Sequence, residues 1–422
     1  MLTLQTLRND REGLISAYKA RNLDVTEVVD RILELDSERR QTQKQLDDLK
    51  HEQNQASREI GELFKSGERE AAEQKKTAMG DIKERIQGLD AVLRTLEGQQ
   101  VDRLLELPNR PHASVPVGVC DEDNVVLSEE GSRPELGEDA LPHWELCEKY
   151  GLVDFELGTK ITGAGFPVYR GKGARLQRAL IAFFLDRATD AGYEEFIPPL
   201  LVNADSARGT GQLPDKEGQM YHCAEDDLYL IPTAEVPLTN IHRDVVHKAE
   251  DLPIKLCGYT PCFRREAGSY GKEVRGLNRL HQFDKVEIVQ IQHPEKSYET
   301  LDVMVEHVRD LLRALELPFR TLRLCGGDLS FASCLTFDLE VWSAGQERWL
   351  EVSSISNFES FQANRLSCRY REGGKNHLVH TLNGSALALP RIVAALLENN
   401  QGPDGINIPE ALRPYTGFDR IT

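Results

Sequence analysis

The sequence has 422 residues, 40% of them hydrophobic, and a formal net charge of -18 at pH 7. This length exceeds one ordinary hydrophobic core and indicates two or three structural units. The acidic balance argues against a protein that coats nucleic acid indiscriminately, because phosphate contacts supply most of such binding. No apolar run approaches the roughly 20 residues of a membrane span, and residues 1–10 lack the basic and apolar regions of a secretory signal. We therefore expect a cytoplasmic protein without a membrane partner.

The eight cysteines are scattered along the chain without Cys-x-x-Cys spacing. This pattern favours buried free thiols over a disulfide framework or a zinc ribbon. Cys257 and Cys262 are the closest pair, and we expect no zinc site there.

A heptad pattern begins at Val28 and continues to Leu63, with residues at alternating steps of four and three. The residues 64–68 interrupt it, and the pattern resumes from Met79 to Leu96. It predicts two long helices joined by a tight turn, an antiparallel coiled-coil hairpin with an arm of roughly 60 Å. Coiled coils commonly serve as dimerisation or spacer devices. A hairpin that buries its own seam, however, leaves its outer basic residues exposed: Arg39, Arg40, Lys44, Lys50, Arg58, Lys75 and Lys76.

Charge is unevenly distributed, since residues 1–110 hold 19 Lys and Arg against 22 Asp and Glu. A nearly neutral segment in an acidic chain is the easier place for an RNA contact. Prolines at 108, 111 and 116 place the boundary of this segment near residue 110. We therefore predict an N-terminal domain over 1–110 and a second domain over 111–422.

Beyond this boundary, strand-like and helical segments follow one another without regular alternation. This indicates an α+β domain with a mainly antiparallel sheet. Residues 171–191 predict an amphipathic helix, and residues 192–201 predict a strand that ends in proline.

A short triplet, Thr233-Ala234-Glu235, follows a strand-like segment and offers a hydroxyl and a carboxylate. Alone it would be an ordinary helix start. The segment 336–354 then predicts a hairpin, and residues 381–391 precede a predicted helix from Ile392 to Asn400. Proline is compatible with a helix only in its first turn or at a kink.

The most informative segment lies between these, at residues 263–287. It predicts two strands with a polar loop at the tip. Phe283, Lys285 and Glu287 share one face of the return strand, and Phe283 and Glu287 are roughly 13 Å apart. This distance is close to the length of an aminoacyl adenylate. The ring can stack on a base, Glu287 can bind an amine or hydroxyl, and Arg264 can hold the phosphate.

This hairpin resembles motif 2 of the class II aminoacyl-tRNA synthetases, and its loop, residues 266–271, resembles the seryl-tRNA synthetase family. Residues 171–201 are similar to motif 1, with Pro199 at the motif's proline, and 381–391 to motif 3. The family has glycine where this chain has Ala386 and Pro390. The resemblance implies ATP-dependent activation of L-serine, a homodimer, and transfer to tRNA(Ser), with tRNA(Sec) as a second candidate substrate. The arm and the motif 2 loop, with Lys272, Arg275 and Arg279, would bind this tRNA.

The resemblance also implies roles for individual residues. Arg264, Glu266, Glu351 and Arg391 would be catalytic, and Arg391 would stack on adenine opposite Phe283. Serine would contact Thr233, Glu235, Arg264, Glu287, Asn383 and Ser385. ATP would contact Arg264, Arg265, Glu266, Phe283, Glu351, Val352, Ser353, Ser354 and Arg391.

Glu351 and Ser354 would also hold Mg²⁺. Simple alternation along a strand puts these two residues on opposite faces. Either a bulge turns one of them, or the role implied for Ser354 is wrong.

Two other functions remain open. A related activating enzyme could transfer its amino acid to a carrier protein, although such relatives lack the helical arm. A catalytically inactive binding protein could also use this framework, but the positions of Arg264, Phe283, Glu351 and Arg391 are all filled.

Overall fold

The structure is a computed structural model that describes residues 1–137, 140–215, 218–266 and 275–422. It separates into two compact units. One comprises Leu2–Tyr18 and Leu23–Pro108, and the other comprises Met1, Lys19–Asn22 and Asn109–Thr422. Lys272 and the other residues of the predicted hairpin tip at 267–274 lie outside the described residues.

The first unit is helical. Its helices are α1 (Leu4–Asn9), α2 (Arg11–Tyr18), α3 (Thr26–Ser66) and α4 (Arg69–Glu106). Helix α3 has 41 residues, about 60 Å at 1.5 Å per residue. Gly67 ends it with a φ of 85° and donates its N–H to the carbonyl of Leu63, a left-handed cap that favours glycine.

The seam between α3 and α4 follows the predicted heptads. Leu46 and Leu49 of α3 pack with Ile86 and Leu93 of α4 in one buried cluster. Towards the turn, seam positions such as Ile60 and Met79 are only half-buried. The predicted coiled-coil hairpin is therefore confirmed.

The basic residues of this arm are less free than the sequence suggested. Arg39 and Arg40 both lie near the buried carboxylate of Asp36, at 3.6 and 3.3 Å. Lys50 faces Asp90, Lys75 faces Glu59 and Lys76 faces Glu73. The three lysine pairs are largely exposed, and ion pairs of this kind contribute only about 0–1 kcal/mol.

The second unit is built on an antiparallel sheet. Among the described residues, eight strands form it: β1 (Val125–Glu130), β2 (Glu194–Glu195), β3 (Ile254–Phe263), β4 (Gln282–Gln292), β5 (Phe319–Arg323), β6 (Leu335–Ser343), β7 (Arg348–Asn357) and β8 (His380–Ala388). Their spatial order is β1-β5-β6-β7-β8-β4-β3-β2. Every neighbouring pair is antiparallel except β2 with β3. The predicted fold class is confirmed.

Helices cover this sheet and bury its apolar face. They are α5 (His143–Lys149), α6 (Phe155–Ile161), α7 (Gly171–Asp190), α8 (Ala204–Thr210), α9 (Glu235–Asn240), α10 (Ser297–Ala314), α11 (Ser360–Leu366), α12 (Leu389–Asn399) and α13 (Arg413–Thr416). Phe183 and Phe184 of α7 and Leu396 of α12 belong to the main core.

Short strands form smaller sheets beside the main one. They are Val153–Asp154 with Val168–Tyr169; Leu201–Asn203, His222–Cys223 and Leu228–Leu230; Val246–Lys248, Arg369–Glu372 and Lys375–Leu378; and Gln401–Gly402, Gly405–Asn407 and Arg420–Ile421.

The segment 192–201 differs from its prediction. Only Glu194–Glu195 forms a strand there, and the chain then leaves the sheet through Ile197, Pro198 and Pro199 before it enters a different sheet at Leu201. Proline lacks a backbone N–H for the ladder, which explains why the strand is short.

Most cysteines are buried free thiols, as predicted, but Cys120 is exposed and Cys223 is half-buried. Within the described ranges, no helix combines the length and apolar character needed to cross a membrane. The same ranges contain no cluster of three or more His, Cys, Asp or Glu side chains suited to a metal ion.

Candidate active site

A cleft of about 600 Å³ opens above the centre of the sheet, where β7, β8, β4 and β3 lie side by side. It collects residues that are more than 150 positions apart in sequence. The predicted site residues that line it are Thr233, Glu235, Arg264, Glu266, Phe283, Glu287, Glu351, Val352, Ser353, Ser354, Asn383, Ser385 and Arg391.

The hairpin of β3 and β4 brings the predicted cation, ring and acid into this cleft. Phe283 pairs with Cys262, and Arg264 follows directly after β3. The Arg264 guanidinium lies 5.2 Å from the centre of the Phe283 ring. Its Nε donates to the carbonyl of Pro232 at 3.3 Å. Fixing one nitrogen in this way orients the planar guanidinium.

Arg265 does not line the cleft. Its guanidinium lies 5.6 Å from the centre of the Tyr221 ring, and its backbone N–H donates to Gln219. Glu266 does line the cleft, and its carboxylate accepts a hydrogen bond from Nε of Arg279 at 2.5 Å.

The far end of the hairpin face is a buried polar cluster. Lys285 Nζ lies 2.5 Å from a carboxylate oxygen of Glu287, and the two side chains are only 7% and 2% exposed. The hydroxyl of Thr233 donates to Glu287 at 3.0 Å and accepts from Lys285 at 2.9 Å. Phe283, Lys285 and Glu287 therefore share one face, as the alternation predicts.

Glu235 is the second buried carboxyl of this cluster. Burial, followed by the nearby charge of Glu287, raises its pKa to about 7. The amide of Gln362 donates to Glu235 at 2.6 Å, and the charge of Lys285 opposes the shift. Near neutral pH, this carboxyl can therefore change its protonation state when a cation enters the cleft.

Asn383 and Ser385 reach the same end of the cleft from β8. Both are buried. The side-chain amide of Asn383 lies close enough to Glu235 for a hydrogen bond that opposes the rise in the pKa of that carboxyl. Asn383 and Glu235 therefore belong to one polar cluster.

A bulge in β7 lies between Glu351 and Ser354. Ser353 pairs with Leu339, but Glu351 pairs with Glu340, so Val352 is an extra residue between them. Because of this extra residue, the side chains of Glu351 and Ser354 turn to the same side of β7. Both line the cleft.

Asp338 faces Ser354 across the β6 and β7 pair. Burial, with the charge of Glu351 in addition, raises the pKa of Asp338 well above its usual value. One of its oxygens is buried and has no partner among the described residues. Carboxylate and hydroxyl oxygens of this kind are ligands that Mg²⁺ accepts.

Arg391 lines the cleft beside Asn278 and Glu351. Its Nε donates to the carbonyl of Asn278 at 2.9 Å and its Nη1 to the carbonyl of Glu351 at 2.7 Å. Pro390 is the second residue of α12, a position where its missing N–H is harmless. The departure from the family pattern at Pro390 therefore leaves Arg391 in the cleft.

Several lining or supporting residues were not predicted from the sequence. The alternation placed Lys285 on the same face as Phe283 and Glu287, but no function was predicted for it. Gln362, Asn278 and Asp338 carried no local signal, because their contacts depend on chain segments far apart in sequence.

Comparison with known proteins identifies the family. Residues 1–111 match the model of the seryl-tRNA synthetase N-terminal domain, and residues 221–400 match that of the class II core domain of the synthetases for G, H, P, S and T. The serine–tRNA ligase of Salinibacter ruber is 55% identical over 424 residues, covering 100% of this chain and 99% of the relative.

Solved structures agree. Seryl-tRNA synthetase from Pyrococcus horikoshii, complexed with ATP, matches with a TM-score of 0.93 and 35% identity over 100% of this chain and 99% of that chain. The cytoplasmic serine–tRNA ligase of Naegleria fowleri, in complex with AMP, matches with a TM-score of 0.89 and 28% identity, with the same coverage. The chain therefore belongs to the seryl-tRNA synthetase family of class II serine–tRNA ligases.

Proposed function

We propose that this chain activates L-serine with ATP to form seryl-adenylate and pyrophosphate, and then transfers the seryl group to the 3′ end of tRNA(Ser) in the cytoplasm. The proposal rests on one observation: a single cleft holds Arg264, Phe283, Glu287, Glu351 and Arg391. These groups suit a phosphate, a base, a small amino acid and a metal, which are the parts that the formation of an aminoacyl adenylate brings together.

The adenine ring would lie between Phe283 and Arg391, since a guanidinium and an aromatic ring both stack on a base. The relatives solved with ATP and with AMP support nucleotide binding by this chain. Arg264, between the two ends, would bridge the serine carboxylate and the α-phosphate. Glu266 also lines the cleft and would contact ATP there.

Serine would occupy the buried polar end. Its ammonium would interact with the carboxylates of Glu235 and Glu287, and its hydroxyl with the remaining polar groups there, including Thr233, Asn383 and Ser385. Because a site built to hydrogen-bond a substrate hydroxyl leaves polar groups unpaired without it, alanine should be rejected by roughly 10⁴. Threonine would be excluded by space.

In the first step, a carboxylate oxygen of serine attacks the α-phosphorus and pyrophosphate leaves. Arg264 can hold the two anions together and stabilise the charge that develops on the phosphoryl oxygens. In the second step, a terminal ribose hydroxyl of the tRNA attacks the acyl carbon and AMP leaves. None of the predicted site residues is an obvious general base, so we assign the catalysis to orientation and charge.

Glu351 and Ser354 would hold Mg²⁺ together with phosphate oxygens, and Val352 and Ser353 would contact ATP from the same strand. The donor set fits, since the bulge at Val352 brings an acidic and a hydroxyl oxygen to one side of the cleft. Bound there, the ion would neutralise charge on the triphosphate.

We assign the domain over 1–110 to tRNA binding and that over 111–422 to catalysis. The arm offers exposed Lys44 and Arg58, and Arg275 and Arg279 flank the hairpin tip. We also propose tRNA(Sec) as a second substrate. Charging assays with purified tRNA(Ser), tRNA(Sec) and acyl carrier protein would distinguish these acceptors.

We further propose a homodimer. Ile197 is 92% exposed in the segment that resembles motif 1, and a fully exposed isoleucine beside two prolines suits an interface. Sedimentation at micromolar concentration should show a dimer, and Ile197→Asp should shift it towards monomer.

The decisive test is pyrophosphate exchange with each of the twenty amino acids. We expect exchange with serine and none above background with alanine or threonine. Exchange that is absent with serine, or equal with alanine, would overturn the proposal.

A further inference from the structure

A buried pair, His143 and Glu398, lies behind the cleft without lining it. Both residues are 0% exposed. The Nδ1 atom of His143 lies 2.7 Å from Oε1 of Glu398, and the backbone N–H of His143 donates to the same oxygen at 2.8 Å. His143 begins α5, and Glu398 lies one residue before the end of α12.

Glu398 is not explained by helix stability. A carboxylate in the last turn of a helix faces the negative end of the helix dipole, which disfavours it. It is instead satisfied by further donors: the hydroxyl of Ser343, the N–H of Gly345 at 3.0 Å and the amide of Gln346 at 3.1 Å. Burial raises its pKa, but the hydrogen bonds from His143 and Ser343 outweigh this and hold the pKa below its usual value.

The other nitrogen of His143 holds the chain that returns from the hairpin tip. The backbone N–H of Leu277 donates to Nε2 of His143 at 2.8 Å. Nε2 must therefore carry a lone pair, and Nδ1 carries the proton that is donated to Glu398. Glu398 thus fixes the tautomer that His143 needs to accept from Leu277.

The preceding residue shows how closely the imidazole fits. Gly276 has a φ of 66°, and a Cβ there would lie 2.2 Å from Nε2 of His143. Only glycine combines this backbone conformation with the close approach.

From Leu277 the contacts lead directly to Arg391. The carbonyl of Asn278 accepts from Nε of Arg391 at 2.9 Å. The side chain of Asn278 donates to Gln346 at 2.8 Å, and Gln346 in turn donates to Glu398. Asn278 is thus held on both sides by the same buried pair.

We propose that His143 and Glu398 are positioning residues for ATP, which fix residues 276–278 and through them hold Arg391 at the adenine end of the cleft. The proposal rests on the proposed function of Arg391 and adds two residues that do not touch the substrates. Loss of the pair would weaken ATP binding selectively, because the serine end of the cleft depends on other contacts.

Two substitutions of His143 test its hydrogen bonds to Glu398 and to Leu277 separately. His143→Asn can still donate to Glu398 from the Nδ1 position but offers no acceptor to Leu277. His143→Gln can place an oxygen near the Nε2 position and accept from Leu277. Because the N–H of Leu277 would be buried without an acceptor, residues 276–278 would loosen, and we expect His143→Asn to raise KM for ATP roughly tenfold with KM for serine unchanged. His143→Gln should restore most of this loss.

Gln346→Leu provides a second variant that leaves His143 intact and releases Asn278, and it should raise KM for ATP in the same direction. His380→Asn is the control, since this half-buried histidine contacts Ser297 outside the network and should leave KM for ATP unchanged. All would be measured by pyrophosphate exchange with ATP and serine varied separately, alongside thermal unfolding.

A rise in KM for ATP but not for serine in His143→Asn and Gln346→Leu, with KM for ATP restored in His143→Gln, would support the proposal. An unchanged KM for ATP in both variants would overturn it. Equal increases in KM for ATP and for serine that parallel the loss of thermal stability in every variant would also overturn it. Serine-dependent exchange by the unaltered protein is measured first, so a failure of the proposed function would be recognised separately.

Discussion

The ammonium of Lys285 and the carboxylate of Glu287 lie 2.5 Å apart at the buried end of the cleft. Glu235 lies close enough for the charge of Glu287 to raise its pKa. One cation therefore compensates two acidic side chains before any substrate is bound.

Replacement of Lys285 should accordingly be costly. Lys285→Met leaves Glu287 buried without its cation, and breaking a buried pair in this way costs about 3–5 kcal/mol. Urea unfolding of the variant should show this loss, whereas Lys248→Met at an exposed position should change stability by less than about 0.5 kcal/mol. The double variant Lys285→Met, Glu287→Gln should recover part of the loss. A single variant as stable as the unaltered protein would contradict this account.

Glu235 should make stability depend on pH in one direction. Its pKa rises from 4.5 in the unfolded chain to about 7 in the folded protein, so the folded state binds more protons in that window. Protonated Glu235 therefore stabilises the folded state by on the order of 3 kcal/mol. This stabilisation is fully present below pH 4.5 and is lost as the pH rises through 7. Glu235→Gln should remove it. Unfolding free energies measured from pH 5 to pH 8 should therefore fall less steeply in the variant, and parallel curves would refute the assignment.

Two neighbouring arginines allow a matched test of the hairpin. Arg264 lines the cleft and Arg265 does not. Arg264→Ala should reduce serine-dependent pyrophosphate exchange by roughly 10²-fold or more, with circular dichroism unchanged. Arg265→Ala should change it by only a small factor. Similar losses in both variants would indicate a general effect on the hairpin.

The bulge at Val352 lets Glu351 and Ser354, which are three positions apart, lie on one side of β7. Val352→Ala keeps this extra residue and should retain most of the pyrophosphate exchange activity, because the side chains of Glu351 and Ser354 keep their directions. If Mg²⁺ is held as proposed, Ser354→Ala should raise the Mg²⁺ concentration for half-maximal exchange several-fold. An unaltered Mg²⁺ dependence would remove Ser354 from the metal site.

The arm can be tested independently of the cleft. Lys44→Glu with Arg58→Glu reverses two exposed charges and should raise KM for tRNA(Ser) strongly, because each phosphate contact contributes to affinity. Pyrophosphate exchange, which requires no tRNA, should stay unchanged. Loss of exchange in this variant would mean that the substitutions disturb more than the arm.

The sequence allowed the periodic features to be predicted, because they depend on local spacing. The seam of Leu46 and Leu49 follows heptads, and the shared face of Phe283 and Glu287 follows a period of two. From the sequence, a bulge between Glu351 and Ser354 was one of two alternatives. It depends on how β7 pairs with β6, and neighbouring residues do not determine that register. Arg265 lies away from the cleft because two adjacent residues leave a strand end in different directions.

The contacts of Gln362, Asn278 and His143 could not be predicted at all. The contacts described above join segments that are 68 to 255 positions apart, and nothing in the neighbouring residues indicates the partner. A single sequence shows which groups could act, but the supporting groups become visible only when the sheet is assembled.

The strand order has a consequence for synthesis of the chain. The cleft needs β4 between β3 and β8, and Arg391, which also lines the cleft, follows β8 along the chain. A nascent polypeptide released after β7 would contain the hairpin yet lack the neighbour that completes its floor. Activity should therefore emerge in one step once β8 and Arg391 have been synthesised, with no partially competent fragment along the way.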